Sequence, residues 1–575
     1  MKILGIHDGH NGSACLLDDG KIIAVYQEER LHRKKNYFGF PFNSIERILS
    51  ENNYYPNDID YIALNGKHMP PFFGDINNLL QTYHEMATIK GKVKKNSQLL
   101  IKKTPIYQIY KSKIKEKRIE NLKQIGFSKN QIHFIDHHTA HASATYYCCP
   151  WFKDEKVLVL TNDGAGDGIC ATISIGDNNK LFRISQIPET ESIAWYYGML
   201  TMMMGMIPNE HEYKIMGLAP YSPNLGKELG YNRFKNIVKF PNDFCLEWQR
   251  GKKVPPAAKS YPFLRTATEL LRFDWIAAGI QKWVEEIATE WVKRAICKTG
   301  ITKIALSGGF FMNVKVNKSI SNLNELNNLY IFPSCGDESN CIGSALALYA
   351  DKNFESNGDF SDINPLDNIY LGNSIENQDV VNCFPDTFFN VKKFNDINIK
   401  IGNLLAEGKI VARCQDRMEF GARALGNRSI LADASSLDVI RTINKMIKNR
   451  DFWMPFAPTI LSERSYDYII NPKKIDSPYM MLAFDSTDLG KKELIAASHL
   501  EDSTLRAQIL ERNHNINYYK VLKEFERITG KGGLLNTSFN LHGYPIVSST
   551  EDAYHVFNNS NLEYLAIGDY IISKR

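Results

Sequence analysis

Short apolar runs separated by turn residues open the chain and predict strands. Residues 2–8 (KILGIHD) and 13–19 (SACLLDD) are such runs joined by a glycine-containing turn, and residues 21–30 (KIIAVYQEER) follow the Asp19-Gly20 pair, a hairpin signal. The same succession of strand, Asp-Gly turn and strand recurs across residues 156–187. The repetition predicts two similar meanders.

Later in the chain the pattern changes to strands followed by helices. Residues 303–317 and 329–350 each read as strand, glycine turn and helix. Residues 264–299 carry apolar side chains at helical spacing with few breakers, which predicts one long core helix or a pair. With the two meanders, these units predict a duplicated α/β domain whose phosphate-binding turns face a central cleft.

A polar stretch rich in Asn, Asp, Gly and Pro predicts a domain boundary. Residues 351–368 lack any hydrophobic period, whereas the chain beyond them alternates helix and strand again. We therefore expect a first domain over residues 1–353, a linker over 354–368 and a second α/β domain over 369–575. A chain of 575 residues also exceeds what one hydrophobic core usually organises.

The composition excludes several classes of protein. An apolar fraction of 43% and a charged fraction of 23% are ordinary for globular proteins, which argues against a disordered chain. Polar residues follow the first few apolar ones too soon for a secretory signal, and no apolar run reaches spanning length, so we expect a cytoplasmic protein. The ten cysteines form no CxxC pair, so we expect reduced thiols.

The net charge of +5 is mild but uneven. Lysines crowd residues 90–118 with few acids between them. This segment is either a solvent-exposed helical insertion or a basic surface that attracts an anionic acceptor. The pattern alone does not distinguish these two interpretations. Few aromatic residues interleave with the lysines, which disfavours nucleic-acid binding.

Two histidines and two aspartates are candidate metal ligands. His137 and His141 stand four residues apart, so on a helix their imidazoles project from one face. Asp163 and Asp337 each follow a short apolar strand at a glycine-containing turn. The alternatives are satisfied histidines on a polar helix face and turn-stabilising aspartates. Such a mixed set suits iron, manganese or zinc, and the spacing does not choose among them.

Glycine turns and clustered cations are candidate sites for phosphate. The turn from Ser307 to Asn313, with Gly308 and Gly309, could cradle a nucleotide by backbone N–H groups. In the second domain, apolar residues interrupt the cations of residues 415–433 and 443–458, which favours partly buried arginines facing phosphate over a solvated face. Asn536, Thr537, Ser538 and Asn540 add amide and hydroxyl groups on a later turn.

These motifs together resemble the NodU/CmcH carbamoyltransferase family over nearly the whole chain. The matching segments are HNGSACLLDDG, EERLHRKK, DHHTAHA, NDGAGDG, EYKIMGLAPY, SGGFFMN, CGDESNCIGSA, RMEFGARALGNRSILAD, MPFAP and LLNTSFN. The resemblance implies an actin-like (ASKHA) first domain and a YrdC-like second domain. It also implies ATP-dependent conversion of carbamoyl phosphate into carbamoyl adenylate, with loss of pyrophosphate, and transfer of the carbamoyl group to a hydroxyl of a small molecule such as a sugar or natural product.

The resemblance also implies roles for individual residues. His10 is the expected general base and Lys35 a charge stabiliser near the acceptor. The expected metal ligands are His137, His141, Asp163 and Asp337, with iron as the first choice and manganese, zinc or magnesium as alternatives. The expected nucleotide site comprises Gly164, Glu212, Lys214, Ser307, Gly308, Gly309 and Asn313. The expected carbamoyl phosphate site comprises Arg417, Arg423, Arg428, Lys448, Arg450, Asn536 and Ser538.

Two positions depart from the family pattern, and two other functions compete. Ala422 stands where proline is usual, a mild change on a turn, and Met454 stands where arginine is usual, which removes a cation and puts one anion contact in doubt. The alternatives are a sugar-kinase-like phosphotransferase and a nucleotide-binding module of an RNA-modification system. The expected partners are carbamoyl phosphate, ATP with magnesium and a small-molecule acceptor, with no membrane or nucleic acid, and a homodimer is the assembly considered.

Overall fold

The computed structural model describes residues 1–67, 88, 105–356, 362–385, 387–448 and 450–575. The chain divides into two compact units. The first comprises Met1–Lys21, Phe38–Pro41 and Glu46–Pro365, and the second comprises Ile22–Tyr37, Phe42–Ile45 and Leu366–Arg575. The main division lies inside the predicted linker. Residues 22–37 group with the second unit, which a boundary drawn along the sequence does not anticipate.

The first unit contains a mixed sheet built on its N-terminal strand. Lys2–His7 pairs antiparallel with Ser13–Asp18 and parallel with Tyr61–Asn65, which is itself parallel to Ile132–Ile135. A strand at Lys21–Gln27 follows the predicted turn, where Asp19 and Gly20 both have positive φ. The buried strands are almost wholly apolar, as expected for strands covered on both faces.

A second sheet in the same unit repeats this pattern. Val157–Gly166 pairs antiparallel with Ile169–Asp177, which continues antiparallel to Lys180–Pro188. Val157–Gly166 is also parallel to Lys303–Ser307, which is parallel to Asn328–Ile331. Two sheets with the same order of antiparallel and parallel pairings are the duplicated α/β architecture predicted for an actin-like domain, and that prediction is confirmed.

Helices surround these sheets. The predicted helix over residues 264–299 is a pair, Tyr261–Thr268 and Phe273–Thr299, and the second ends at Gly300 in the left-handed conformation that favours glycine. Residues 90–104 of the lysine-rich segment lie outside the described residues, and the rest of it lies in the helix Pro105–Ile125. The other α-helices described up to residue 365 are Phe42–Glu51, His137–Cys148, Ile193–Met203, Glu212–Leu218, Asn224–Phe234, Val314–Ser321 and Asn340–Glu355, and the helix Glu28–His32 lies in the segment that groups with the second unit.

The second unit is built on an eight-stranded mixed sheet. In spatial order its strands are Phe389–Lys393, Tyr570–Lys574, Tyr564–Ile567, Val411–Cys414, Arg428–Ala432, Gly533–Ser538, Ala457–Leu461 and Gln508–Leu510. A three-stranded sheet adds Ile469–Ile470, Phe484–Ser486 and Thr504–Leu505. Its helices are Asn377–Cys383, Ile397–Ala406, Asp438–Ile443, Ser465–Tyr468, Asp488–Glu493, Ile516–Thr529 and Thr550–Asn558.

Helices Ile397–Ala406 and Ile516–Thr529 form the core of the second unit with this sheet. Leu404, Val521 and Phe525 from the helices pack in one buried cluster with Leu431 and Leu534 from the strands. The predicted α/β character of this unit is therefore confirmed. Among the described residues of the whole chain, no helix combines the length and apolarity needed to cross a membrane.

Candidate active site

The helix His137–Cys148 brings two histidines to one face. Asp136 caps its first turn, since the side chain accepts the backbone N–H of Thr139 at 2.9 Å. The helical spacing then places the rings of His137 and His141 side by side, with centroids 4.8 Å apart. His138 points elsewhere, and its ring nitrogens meet Thr161 Oγ1 at 2.8 Å and the Ile169 carbonyl at 3.0 Å.

Two carboxylates complete a compact cluster with these rings. Asp163 lies on the strand Val157–Gly166, and Asp337 begins a short turn after the strand Asn328–Ile331. His137 Nε2 lies 3.2 Å from Asp163 Oδ2, and His141 Nε2 lies 3.4 Å from Asp337 Oδ1. One ligand atom from each of the four residues lies within 4.8 Å of all the others. The structure therefore assembles the four predicted metal ligands at one point.

The glycines of this region leave space for the ligands. A Cβ at Gly166 would lie 2.1 Å from the ring of His137, so only glycine admits that ring. Gly308 has a φ of 104°, and a Cβ there would lie 2.1 Å from the Asn162 carbonyl oxygen. This close approach lets the Gly309 N–H donate to Asp163 Oδ1 at 3.1 Å.

The electrostatics of the cluster favour a cation. Burial and the Asp163 charge raise the pKa of Asp337 to about 7, while His137 helps to hold the pKa of Asp163 well below its usual range against burial. Burial opposes charge on His137, but Asp337 and Asp163 outweigh it and raise its pKa to about 9. Burial and the His137 charge lower the pKa of His141 to about 3. The raised pKa values of His137 and Asp337 mean that bound protons offset the carboxylate charge of this cluster.

The donor set fits a divalent metal ion. Two imidazole nitrogens and two carboxylates suit iron, manganese or zinc, and Asp337 Oδ1 is buried without a hydrogen-bond partner. Buried polar oxygens normally find a partner, so this orphaned oxygen is the feature that a bound ion would satisfy. The identity of the metal does not follow from these contacts.

His10 lies beside the cluster in the first unit. Burial lowers its pKa, while the charges of Asp337, Asp163 and Glu210 act in the opposite direction. Its backbone carbonyl accepts a hydrogen bond from His7 Nε2 at 2.9 Å. A neutral imidazole next to the carboxylates is able to accept a proton, as the predicted general base must.

The predicted nucleotide residues have mixed surroundings. The Asn313 side chain caps the helix Val314–Ser321 and bonds with Gln281 at 3.0 Å, so its amide is already engaged. Ser307 Oγ lies 3.3 Å from His141 Nδ1. Glu212 is half-buried, and desolvation raises its pKa to about 7, while it accepts the Asn209 N–H at 2.7 Å. Gly164 packs against Trp195, and Lys214 lies half-buried on the helix Glu212–Leu218.

Five cations cluster in the second unit. Burial, Arg450 and Lys35 all lower the pKa of Lys448 far below its usual range. Burial, Arg423 and Arg450 do the same to Arg506. Hydroxyl and amide groups hold two members, since Lys448 Nζ lies 3.1 Å from Ser538 Oγ and Arg450 donates to Thr537 Oγ1 at 2.9 Å. We call Lys35, Arg423, Lys448, Arg450 and Arg506 the cation cluster.

Three residues predicted to bind carbamoyl phosphate also form hydrogen bonds within the second unit. Arg428 is fully buried and donates to the carbonyls of Gln415, Asp416 and Asn373. Arg417 donates to the carbonyls of Gly372, Leu371 and Ile23. Asn536 donates to Thr459 Oγ1 and the Ala424 carbonyl inside the sheet. These side chains brace the fold through backbone carbonyls and a threonine hydroxyl, while Arg428 Nε is buried without a hydrogen-bond partner, so their part in carbamoyl phosphate binding stays a prediction.

Sequence reasoning assigned Lys35 to the acceptor site and did not consider Arg506. Lys35 belongs to the second unit, where its charge acts on Lys448, whereas His10 belongs to the first unit. Arg506 stands in the segment STLRAQ, which has no glycine turn and no neighbouring cation to mark it. Asn65 was also missed, although its Nδ2 lies 2.8 Å from His7 Nδ1 and 3.5 Å from His137 Nδ1. Only the folded chain reveals these neighbours.

Comparison with known proteins identifies the family. The model of the carbamoyltransferase N-terminus matches residues 2–346, and that of the carbamoyltransferase C-terminus matches residues 402–574. The chain belongs to the NodU/CmcH carbamoyltransferase family. This carbamoyltransferase is therefore an enzyme that transfers a carbamoyl group, and the resemblance that its motifs indicated is confirmed.

Several relatives match this carbamoyltransferase over most of its length. Protein MJ1051 of Methanocaldococcus jannaschii is 31% identical over 100% of this chain and 99% of its own. Nodulation protein U of Sinorhizobium fredii is 30% identical over 94% of each chain. Nodulation protein NolNO of the same species is 27% identical over 98% of this chain and 79% of its own.

Two solved structures were also found to be similar. Full-length HypF in its phosphate- and nucleotide-bound form has 13% sequence identity and a TM-score of 0.36, covering 62% of this chain and 47% of that one. The activator of 2-hydroxyisocaproyl-CoA dehydratase from Clostridium difficile has 13% identity and a TM-score of 0.32, covering 63% of this chain and 100% of that one.

Proposed function

We propose that this carbamoyltransferase is ATP-dependent, forms carbamoyl adenylate from carbamoyl phosphate, and carbamoylates a hydroxyl of a small sugar-like or natural-product acceptor. The observation that carries the donor half of this proposal is the cation cluster. Two of its members, Lys448 and Arg506, have their charges opposed by burial and by other cations of the cluster. Such an arrangement is costly without an anion, and phosphate groups supply the opposing charge.

The proposed donor chemistry balances in two steps. Water attacks carbamoyl phosphate, the bond between the carbonyl carbon and the phosphate-bearing oxygen breaks, and inorganic phosphate leaves with carbamate retained. A carbamate oxygen then attacks the α-phosphorus of ATP, and pyrophosphate leaves as carbamoyl adenylate forms. Lys448, held by Ser538 and Asn540, and Arg450, held by Thr537, bind and neutralise these phosphates. Lys35 adds its charge to the same cation cluster.

In the transfer step, the acceptor hydroxyl attacks the carbamoyl carbon and AMP leaves. His10 accepts the hydroxyl proton, since its neutral ring lies beside the carboxylates of the cluster. Bound at His137, His141, Asp163 and Asp337, a divalent ion would supply Lewis-acid polarisation of the carbamoyl carbonyl. In the first unit, the proposed nucleotide contacts are Gly164, Glu212, Lys214 and the Gly308–Gly309 turn. Iron is the metal we propose first, with manganese, zinc or magnesium as alternatives.

The products of ATP test this proposal. Purified enzyme is incubated with labelled ATP and magnesium, with and without carbamoyl phosphate, and the nucleotides are separated. We expect AMP and pyrophosphate that depend on carbamoyl phosphate, and loss of both in Lys448→Met. Formation of ADP would contradict adenylation and support a phosphotransferase instead.

A further inference from the structure

Two side chains contact the ring of His141, one on each nitrogen. His141 Nδ1 lies 3.3 Å from Ser307 Oγ, and Nε2 lies 3.1 Å from Asn340 Nδ2. All three residues are fully buried. No other hydrogen bond of the Ser307 hydroxyl is formed with the described residues.

With the Asn340 amide nitrogen facing the ring, these two contacts assign the proton of His141 to one nitrogen. An amide nitrogen only donates hydrogen bonds, so Asn340 Nδ2 requires a lone pair on His141 Nε2. A neutral imidazole has one N–H, which must then lie on Nδ1 and point to the Ser307 hydroxyl. The ring therefore carries its lone pair on Nε2, the atom that lies 3.4 Å from Asp337 Oδ1 where the four ligand atoms converge, and a bound ion would take this lone pair in place of Asn340 Nδ2.

The same turn also holds a second ligand. The Gly309 N–H donates to Asp163 Oδ1 at 3.1 Å, which leaves Oδ2 directed at the two histidines. Gly308 makes this possible, because its positive φ and the close approach of the Asn162 carbonyl press the turn against the strand that carries Asp163. The segment Ser307–Gly309 thus contacts two of the four ligands from outside the cluster.

We propose that Ser307 is a positioning residue of the metal site, and that the turn Ser307–Gly309 serves to orient His141 and Asp163 rather than to bind nucleotide through the serine. This inference rests on the proposed metal site. The Ser307 hydroxyl accepts the Nδ1–H of His141 and so keeps the metal-binding tautomer in place. Polar partners on the outer nitrogen of a metal-bound histidine fix its orientation and raise its basicity.

The test measures binding of Co²⁺ to the full chain after its metal has been removed with a chelator. Affinity is obtained by competition with a chromophoric chelator, and the visible absorption of bound Co²⁺ reports the ligand geometry. We expect Ser307→Ala to bind Co²⁺ about 10- to 100-fold more weakly with an altered spectrum. Ser307→Thr, which retains the hydroxyl, should bind within about threefold of the parent, a difference below the outer-partner effect. Affinity for a non-hydrolysable ATP analogue should not change in either variant.

Ser344→Ala is the matched control. Ser344 is a buried serine of the first unit whose hydroxyl makes no hydrogen bond, so its removal alters core volume without touching a ligand. We expect its Co²⁺ affinity and spectrum to equal those of the parent, and the melting temperature of each metal-free variant to show that all are folded.

The outcomes separate this inference from the proposed function. If Ser307→Ala binds Co²⁺ as tightly as the parent, or loses affinity for the ATP analogue instead, the positioning role is overturned while the metal site stands. If the parent itself takes up no stoichiometric Co²⁺, the metal site is overturned, and the role of Ser307 falls with it.

Discussion

The Nε2 atom of His137 lies 3.2 Å from the Oδ2 atom of Asp163. These two residues come from a helix and a strand that are joined through 26 positions of sequence, and they meet where His141 and Asp337 also converge. A hydrogen bond between them satisfies both groups when no ion is bound. A divalent metal ion bound here would take one ligand atom from His137 and one from Asp163 in place of that hydrogen bond.

Removal of His137 should therefore remove the metal. We expect His137→Gln, purified from cells and analysed by inductively coupled plasma mass spectrometry, to contain less than about a tenth of the metal of the parent, because one of four ligands is lost. His138→Gln is the control, since His138 lies next to it on the helix and bonds to Thr161 and Ile169 instead. Equal metal content in His137→Gln and the parent would contradict the ligand assignment.

Arg506 should contribute strongly to anion binding. Loss of one charge-assisted hydrogen-bond donor costs about 1.5–3 kcal/mol, so we expect Arg506→Ala to bind pyrophosphate roughly 10- to 100-fold more weakly. Isothermal titration calorimetry measures this change. Arg512→Ala removes the same charge from an exposed position nearby and should leave binding within about twofold, as expected for a screened surface charge. Similar losses in both variants would indicate a general charge effect and contradict a specific role for Arg506.

Phosphate binding to the second unit should be coupled to proton uptake by Lys448. Burial, Arg450 and Lys35 lower the pKa of Lys448, and a bound anion would raise it. The complex therefore binds more protons than the free enzyme, and affinity falls as pH rises through the depressed pKa. Calorimetry of pyrophosphate binding in buffers of different ionisation enthalpy measures this uptake. Its persistence in Lys448→Met would assign it to another group.

Asp136 should stabilise the fold above about pH 4. Against the effect of burial, Arg183 and the cap to Thr139 lower its pKa to about 2, so the charged form is favoured in the folded state. A depressed carboxyl pKa gives stability that is present above the unfolded value and lost as pH falls towards 2. We expect Asp136→Ala to lose about 1 kcal/mol at pH 7 through the cap.

Melting temperatures of parent and variant from pH 7 down to pH 3 check this expectation. The difference in melting temperature between the parent and Asp136→Ala should narrow as pH falls below about 4, where Asp136 of the unfolded chain begins to protonate. Asp154→Ala changes an exposed aspartate just beyond the same helix and should show no such difference at any pH. If the melting temperature of Asp136→Ala differs from that of the parent by the same amount at every pH, the charge of Asp136 does not contribute to stability.

Local rules predicted much of the first unit. The spacing of His137 and His141 implies a shared helix face, and the Asp19-Gly20 pair implies its turn, because both follow from backbone geometry within a few residues. The two aspartates could be nominated because the sequence places each beside glycines near an apolar run, although Asp163 lies within the strand Val157–Gly166 and not after it. Their convergence on the histidines required the sheet itself, where the strands carrying Asp163 and preceding Asp337 flank Lys303–Ser307 on either side.

The second unit shows where such rules end. Arg417 and Arg428 stand in the same motif as Arg423, and nothing in the sequence indicates which of these guanidinium groups donates to backbone carbonyls. In the folded chain, Arg417 donates to the Gly372 carbonyl and Arg428 donates to the Asn373 carbonyl. Arg506 belongs to the cation cluster because the charges of Arg423 and Arg450, both distant from it in the sequence, lower its pKa. Partners of long polar side chains are set by tertiary structure.

Exchange of labelled pyrophosphate into ATP tests the central claim most directly. If carbamoyl adenylate forms in the cation cluster, the enzyme should incorporate label into ATP only when carbamoyl phosphate is present, without any acceptor, and Arg506→Ala should slow the exchange at least tenfold through weaker pyrophosphate binding. No incorporation by the metal-loaded parent at saturating ATP and carbamoyl phosphate, with ADP as the nucleotide product, would contradict it.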